Sequence, residues 1–594
     1  MRPFIRYLLF YLQRCPYGQK LYSINKISSL MKQATYLTIL LSLLCTFSAS
    51  AQEHEWSGRF GGTGEDVVRA MHVDAEGNSY TTGYFTDTAD FDIGIGETNL
   101  VSNGFYDVFI QKTDSNGELV WAQRVGGSMF DYGVGITTDP LGNVYITGYF
   151  DETVDFDPGT GEALLTSQGG GDIFILKLDS EGSFVWAKSV GGADYEEATS
   201  IDVDELGNVY TIGYIYQTVD FDPGAGEYML TSEGSSDTFL LKLDVDGNFV
   251  SAMRYGGTEL DLGMDLYVKD SENIFIAGFF DGTTDLDPRP SKEYPATATE
   301  GFAGYALHLG SDGSIKNVYV TEGGEFTNRS IAVDDQNNMY VTGYFGFTVD
   351  FAPTSGSSEY TFSSPLVYNS VVVKISNNGE VAWARHLHSD DTMLGYDLKV
   401  GANGQVYSSG FFNGTADFDP SGDTSFDLSK TSSSVSDAYL SILDAKGAFV
   451  DAFQYGGVNF IDTHQMGIDS NDNVYLAAHF EATVDLNPMP DNINEVTALD
   501  FRDNYLIKMA SAPLAVPSHS NKAFEFYPNP AQDKVTLRGT TPLEGHAYKI
   551  YSSLGQLLET GTISQQQSIS MDGLPSGIYF VSIANQFSFK LVKQ

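Results

Sequence analysis

A chain of 594 residues is too long for one ordinary core, so it holds several domains or one large repetitive domain with an appendage. Its 62 glycines, its 13% aromatic content and its short Val/Ile/Tyr/Phe runs broken by Asp, Gly and Asn describe an all-β protein with many turns, and no long amphipathic helical period is present. Residues 52–522 carry 73 acidic against 21 basic side chains, a charge that disfavours nucleic acid and anionic lipid as partners.

Residues 1–51 read as a leader. Met31 is the expected true start, Lys32 supplies positive charge, Tyr36 to Phe47 is apolar but too short to span a bilayer, and Ala49-Ser50-Ala51 is a small-residue cleavage site before Gln52. Cys45 follows Leu43-Leu44 rather than a small residue, which argues against a lipoprotein. Both cysteines, Cys15 and Cys45, fall in this leader, so the mature chain is expected to have neither disulfide nor thiol chemistry.

From Gln52 onward the sequence repeats. A Gly-aromatic-aromatic step has its glycine at Gly83, Gly148, Gly213, Gly278, Gly343 and Gly410, with Ala478 in the seventh place; the intervals are 65, 65, 65, 65, 67 and 68 residues. An Asp-Phe-Asp step or a close relative keeps the same phase, opening at Asp90, Asp155, Asp220, Asp285, Asp350, Asp417 and Asp485. The second copy shows the four strands predicted for each: a near Val134 to Thr138, b over Asn143 to Phe150, c over Asp172 to Leu178, and d over Phe184 to Val190. Tight turns, Asp139-Pro140-Leu141-Gly142 and Asp179-Ser180-Glu181-Gly182, join a to b and c to d. Strands b and c are apolar on both faces, so each sheet must be sandwiched between others, and repeated four-stranded sheets stacked around an axis are propeller blades. The small landmark glycine needs only a packing explanation, a close approach of neighbouring backbones.

The tryptophans predict how the ring closes. Trp56, Trp121, Trp186 and Trp383 occupy one place in strand d, and Trp56 lies a full period before Trp121, so Glu55 to Phe60 is a d strand with no a, b or c before it. At the other end, Asn504 to Met509 matches strand c with no d after it. The first segment is therefore expected to complete the seventh blade, which ties the ring shut and removes two strand edges.

Runs such as Gly142-Asn143-Val144-Tyr145-Ile146-Thr147-Gly148-Tyr149-Phe150, Asp172-Ile173-Phe174-Ile175-Leu176-Lys177-Leu178-Asp179 and Phe184-Val185-Trp186-Ala187-Lys188 resemble the bacterial β-propeller repeat family abbreviated SBBP. The resemblance covers roughly residues 52–510 and implies a fold, not an activity.

A linker, 511–522, contains Pro513 and Pro517, and a segment of short strands follows over 523–594, the size of a small immunoglobulin-like β-sandwich. Phe526-Tyr527-Pro528-Asn529-Pro530, Ile550-Tyr551 with Gly555, Leu574-Pro575-Ser576-Gly577-Ile578-Tyr579, and the basic ending Lys590 to Lys593 resemble the type A C-terminal sorting domain of type IX secretion cargo. Ser552-Ser553 stand where that family often has Asp before its Gly turn. The resemblance makes Pro528, Asn529, Pro530, Gly577, Tyr579 and Lys590 the sorting motif and the type IX machinery the partner of 523–594. It implies delivery to the outer-membrane surface or the medium, with removal of the domain or its exchange for a surface anchor.

Chemistry is less legible. Strand reversal puts the b-to-c and d-to-a connections at one end of the ring, where the long acidic b-to-c segments make that face the expected recognition surface. The pairs Asp155/Asp157, Asp220/Asp222, Asp285/Asp287 and Asp417/Asp419 are calcium candidates, since hard cations take oxygen ligands. Two carboxylates one residue apart on an extended strand sit roughly 7 Å apart, so the favoured reading is that they cap turns while Phe156-type residues pack inward. No phosphate loop, zinc spacing or nucleophile elbow is present, and no cofactor is expected. Residues that break the repeat, Arg289, Arg329, His386 and His388, are the candidates for anything specific. The expected function is a noncatalytic module binding an extracellular protein or glycan; the alternatives are a polysaccharide hydrolase or lyase using a carboxylate pair, and a structural or adhesive coat protein.

Overall fold

The computed structural model describes residues 52–511, apart from 290, 432–433, 460 and 490–492, and stretches of the chain between 524 and 593; the leader lies outside the described residues. In the second copy the strands are Tyr132–Thr138, Val144–Phe150, Asp172–Leu178 and Phe184–Gly192, paired antiparallel in that order. Strands b and c are buried at every residue, while d is mostly half-buried, with Val185 exposed. This is the pattern their two-sided apolar sequence requires. Cores form between blades rather than within them: Tyr145, Ile173 and Ile175 of the second blade share a cluster with Ile201, Val209 and Phe239 of the third.

Seven such sheets close into a ring. Neighbouring inner strands touch all the way round, and Ile461–Ile468 of the seventh blade meets Val67–Val73 of the first. The closing strand is Gln52–Gly62, which pairs along Asp503–Ser511 with Trp56 opposite Lys508 and Arg59 opposite Tyr505. The seventh blade is thus built from both ends of the propeller, as the position of Trp56 predicts.

Two repeating devices hold blade to blade. Each tryptophan donates its indole N–H to a carbonyl in the c-to-d turn of the next blade: Trp56 to Ser115 at 3.1 Å, Trp121 to Ser180 at 3.2 Å, Trp186 to Val245 at 3.2 Å and Trp383 to Ala445 at 3.3 Å. The fourth blade lacks a tryptophan, and there Asn317 donates to the Ser376 carbonyl at 3.3 Å. The second device joins the Asp-Phe-Asp landmark to a Gly-Gly step at the end of the preceding outer strand, as in Gly191-Gly192 and Gly256-Gly257. The hairpin that opens on Asp-Phe-Asp folds back onto the outer strand of the preceding blade, with Gly191 opposite Asp220, Gly256 opposite Asp285 and His388 opposite Asp417. A Cβ on Gly257 would lie 2.0 Å from the Thr283 carbonyl oxygen, which is why the Gly-Gly step stands there. The hairpin's central apolar residue plugs the gap, and Phe156, Phe221, Phe351, Phe418 and Leu486 are each fully buried.

Six of the inner strands bulge opposite the landmark glycine, and the seventh bulges opposite Ala478. The bulge pushes a carbonyl inward, so a Cβ on Gly148 would stand 2.1 Å from the Tyr132 oxygen. The close approach expected of this glycine has that cause.

Residues from Ala512 onward form a separate unit. Its strands make one three-stranded and one four-stranded sheet. Gly577 and Tyr579 lie on the strand Gly577–Ile583, opposite Lys593 and Leu591 of the last strand, where Lys590 pairs with Phe580. Pro528, Asn529 and Pro530 lie outside the described residues.

Candidate functional site

The inner strands of all seven blades surround an axial channel of about 780 Å³. Because each bulge turns one extra side chain toward the axis, the residue fourteen places before the landmark glycine enters the channel: Arg69, Val134, Thr199, Met264, Arg329 and Tyr396. Repeat symmetry thus supplies a regular set of positions, and the side chains at them are all but unrelated.

Deeper in, toward the a-to-b turns, the carboxylates lace blades together. Asp202 accepts from the Val268 N–H of the next blade at 2.7 Å, Asp265 from the Ile331 N–H at 2.9 Å, and Asp397 from the Met466 N–H at 2.7 Å. The Ser330 hydroxyl lies within donating distance of both Asp265 and Asp397, at 2.9 and 3.1 Å, and Lys399 pairs with Asp397 at 2.7 Å. Burial raises the Asp202 carboxyl to about 6 against the pull of its N–H donors, and raises that of Asp265 as well. Burial opposes the charge on Lys399, but Asp397 and Asp265 overcome it and leave the ammonium above its ordinary value.

The opposite end, shared with the b-to-c and d-to-a connections, is aromatic. Tyr132 stacks on Tyr149 with centroids 4.9 Å apart, Tyr84 on Tyr106 at 4.4 Å, and Tyr149 meets Tyr195 at 5.2 Å. Tyr344 meets Tyr368 edge-on at 5.5 Å, and Tyr396 meets Phe411 at 5.9 Å. Arg69 lies over the Tyr84 and Tyr132 rings, 5.5 and 5.4 Å from their centroids, and Arg329 over Tyr344 and Tyr396 at 5.5 and 5.6 Å. Glu197 accepts from the Tyr195 and Tyr214 hydroxyls, both at 2.6 Å. Arg502 is held by Glu65 and Glu481, both at 3.1 Å. Rigid rings, hydroxyls, the Glu197 carboxylate and the guanidiniums of Arg69, Arg329 and the ion-paired Arg502 therefore gather at one end of the channel, a set able to stack a flat apolar face and hydrogen-bond a polar edge.

The acidic segments are engaged elsewhere. Asp155 accepts from the N–H groups of Asp157 at 3.1 Å and Ala163 at 2.8 Å, while Asp157 accepts from Gly159 at 2.8 Å. Asp220 and Asp222 repeat this with Asp222, Tyr228 and Gly224; Asp285 takes Asp287 and Tyr294; Asp417 takes Asp419 and Phe426, and Asp419 takes Ser421. These oxygens share their lone pairs with loop N–H groups, and the hairpins lie along the outer rim as clasps, away from the channel opening. Among the described residues no group of three or more His, Cys, Asp or Glu side chains is placed to hold a metal ion.

Of the repeat-breaking residues, Arg289 is forked onto Asp287 at 2.9 and 2.6 Å. His386 packs between Phe345 and Phe362, and burial followed by the neighbouring His388 lowers its pKa to about 4. His388 meets Asn369 at 3.4 Å. Only Arg329 of the four reaches the channel. Arg69, Glu197, Tyr396 and Lys399 do not stand out in the sequence; for Arg69 and Tyr396 the signal that finds them is their shared offset from the landmark glycine, read for residue type rather than for similarity.

Residues 525–594 match the family model described as a secretion system C-terminal sorting domain, and residues 120–149 match the β-propeller repeat. The chain is a β-propeller repeat protein with a type IX secretion sorting domain. That domain marks the propeller for export to the cell surface or the extracellular space and implies contact with the secretion machinery. The chain is 23% identical over 274 residues to an uncharacterized WD repeat-containing protein of Acanthamoeba polyphaga mimivirus, covering 40% of this chain and 19% of that one. It is 23% identical over 302 residues to the regulatory protein FlaEY of Caulobacter vibrioides, covering 47% and 30%. The chain thus spans less than a third of the length of either relative. A crystal structure of a protein of unknown function from Bacteroides caccae overlays with a TM-score of 0.28 at 10% identity, covering 58% of this chain and 89% of that one.

Proposed function

We propose that this exported propeller is a noncatalytic recognition module that binds an extracellular glycan at the aromatic mouth of its axial channel. The observation that carries the reading is that Tyr84, Tyr396, Glu197, Arg69 and Arg329 line one opening, with Tyr132 and Tyr344 beneath the two arginines and Tyr149 stacked on Tyr132. Sugar rings present apolar faces and hydroxyl edges, and tyrosine meets both with one side chain. A binding role is favoured over hydrolysis because Asp202, Asp265 and Asp397 are occupied in holding the N–H groups of the following blade. A general acid or base must instead be free to meet substrate.

The test is a glycan array probed with the exported chain. Specific retention is expected, with at least a tenfold loss of affinity in Tyr344→Ala, on the scale of one lost stacking contact with its burial. Retention unaffected by Tyr344→Ala and Tyr84→Ala would move the site away from the channel. Repeating the assay with a chelator reads out any calcium contributed by the Asp155/Asp157-type pairs.

A further inference from the structure

The channel mouth contains an electrostatic contradiction. The propeller is strongly acidic, yet two guanidiniums project into its axis, and among the described residues neither Arg69 nor Arg329 forms an ion pair with a carboxylate. Elsewhere arginines are claimed by acids: Arg59 by Asp503, Arg124 by Asp107, Arg254 by Asp237, Arg289 by Asp287. Arg329 keeps a buried Nε with no hydrogen-bond partner, while its Nη2 donates to the Tyr344 hydroxyl at 3.1 Å. A buried N–H left unpaired is costly, and the planar fork of a guanidinium fits an oxyanion.

Both arginines are also pre-positioned. Each sits on an inner-strand bulge, and each lies over one tyrosine of its own blade and one of the next. Such stacking limits the side-chain freedom that would otherwise be lost when a ligand binds.

Resting on the reading of this mouth as a glycan site, we infer that its ligand is an acidic glycan whose terminal residue carries an anionic group, a carboxylate or a sulfate half-ester, received by Arg329 and Arg69. The hydroxyl edge of that residue faces Glu197 and the tyrosine hydroxyls, and its ring face lies on the aromatic band. An extended polyanion lying across the surface is opposed by the acidic body around the mouth. A single charged end entering the channel finds there two guanidiniums without a carboxylate partner among the described residues.

The experiment uses the full exported chain and an array of uronate oligosaccharides, each printed beside its methyl ester, together with sulfated and unsulfated versions of one neutral oligosaccharide. Methyl esterification removes the charge and leaves the ring intact. The expected result is at least one acid bound tenfold or more tighter than its uncharged twin. That preference should collapse in Arg329→Gln, the ratio of acid to ester affinity falling toward one. Arg329→Lys, which keeps the charge and loses the fork, should fall between, and Arg69→Gln supplies an independent second variant if Arg329→Gln fails to fold. Preference for carboxylate or for sulfate identifies the group. Equal binding of acid and ester, still lost in Tyr344→Ala, overturns the acidic ligand and leaves the glycan site standing. Binding of neither form overturns both.

Discussion

The rim and the axis of this propeller are built from the same repeat and use it in opposite ways. On the rim, one residue type recurs at one position because it makes the same contact wherever it stands, tryptophan in four of the seven blades. Tryptophan bonds the next blade's turn, the Gly-Gly step admits the next blade's hairpin, and Asp ties that hairpin's N–H groups. On the axis the backbone recurs and the side chains do not, running Arg69, Val134, Thr199, Met264, Arg329 and Tyr396 through equivalent bulges. Periodic side chains mark what keeps the ring together. Aperiodic side chains at periodic positions mark where a ligand is distinguished.

If that division holds, substitutions at the rim and in the blade sheets should damage stability, and axis substitutions should damage recognition. The largest loss is expected from deleting Gln52–Gly62, which strips the seventh blade of its outer strand and leaves Asp503–Ser511 as an open edge. Calorimetry should show the cooperative transition of the propeller abolished or the protein aggregating. An unchanged transition would mean that the ring does not depend on its clasp. Next comes Gly148→Ala. Its Cβ would meet the Tyr132 oxygen at 2.1 Å and the Phe174 ring at 2.7 Å, and since the oxygen is backbone the bulge must move. A cost of about 2–3 kcal/mol is expected from denaturant unfolding, at the upper end for overpacking.

Most of the rim is legible in the amino-acid sequence, because a device repeated every 65 residues announces itself by its phase. The chain's periodicity does not reveal that the Asp-Phe-Asp landmark meets the Gly-Gly step of the preceding copy: Gly191 and Asp220 belong to different copies and pair in one contact. The sequence pattern places the Asp-rich hairpins on the recognition face. Their carboxylates and their Phe156-type plugs are engaged in joining blades instead. The axis is nearly silent. Of the four residues that break the repeat, Arg289, His386 and His388 are absorbed by local partners, and Arg329 alone lines the channel. Departure from a repeat does not reveal which way a side chain faces; the bulge decides that, and a bulge leaves little trace in composition.

A smaller effect separates equivalent interfaces of the rim. Arg59, Arg124 and Arg254 neutralise Asp503, Asp107 and Asp237, but Ser189 stands at the corresponding place beside Asp172. Burial, more than the nearby Asp172 and Asp194, raises the Glu196 carboxyl there to about 8, and burial raises Asp66, Asp131 and Asp261 to about 7. An unfolded carboxyl releases its proton near pH 4. The folded state therefore binds more protons between about pH 4 and 8, so the stability these groups contribute is full below that window and is lost as pH rises through it. The melting temperature should be higher at pH 5.5 than at pH 8.5. Glu196→Gln, which mimics the protonated group, should narrow the gap by raising the value at pH 8.5. A melting temperature lower at pH 5.5 would show these carboxyls to be charged in the fold.

The least effect on stability is expected on the axis. Arg69 is exposed to the channel and has no carboxylate partner among the described residues, so Arg69→Gln gives up cation–π contacts with Tyr84 and Tyr132 that are worth roughly 0.5–1 kcal/mol at an exposed site. Its unfolding midpoint should stay close to that of the parent while retention on acidic glycans falls. A rim substitution of matched chemistry, Arg124→Gln, removes the guanidinium from the buried Asp107 and should do the reverse, lowering the midpoint and leaving retention intact. If the two variants exchange their effects, the channel is a structural core and the ligand is held somewhere on the rim.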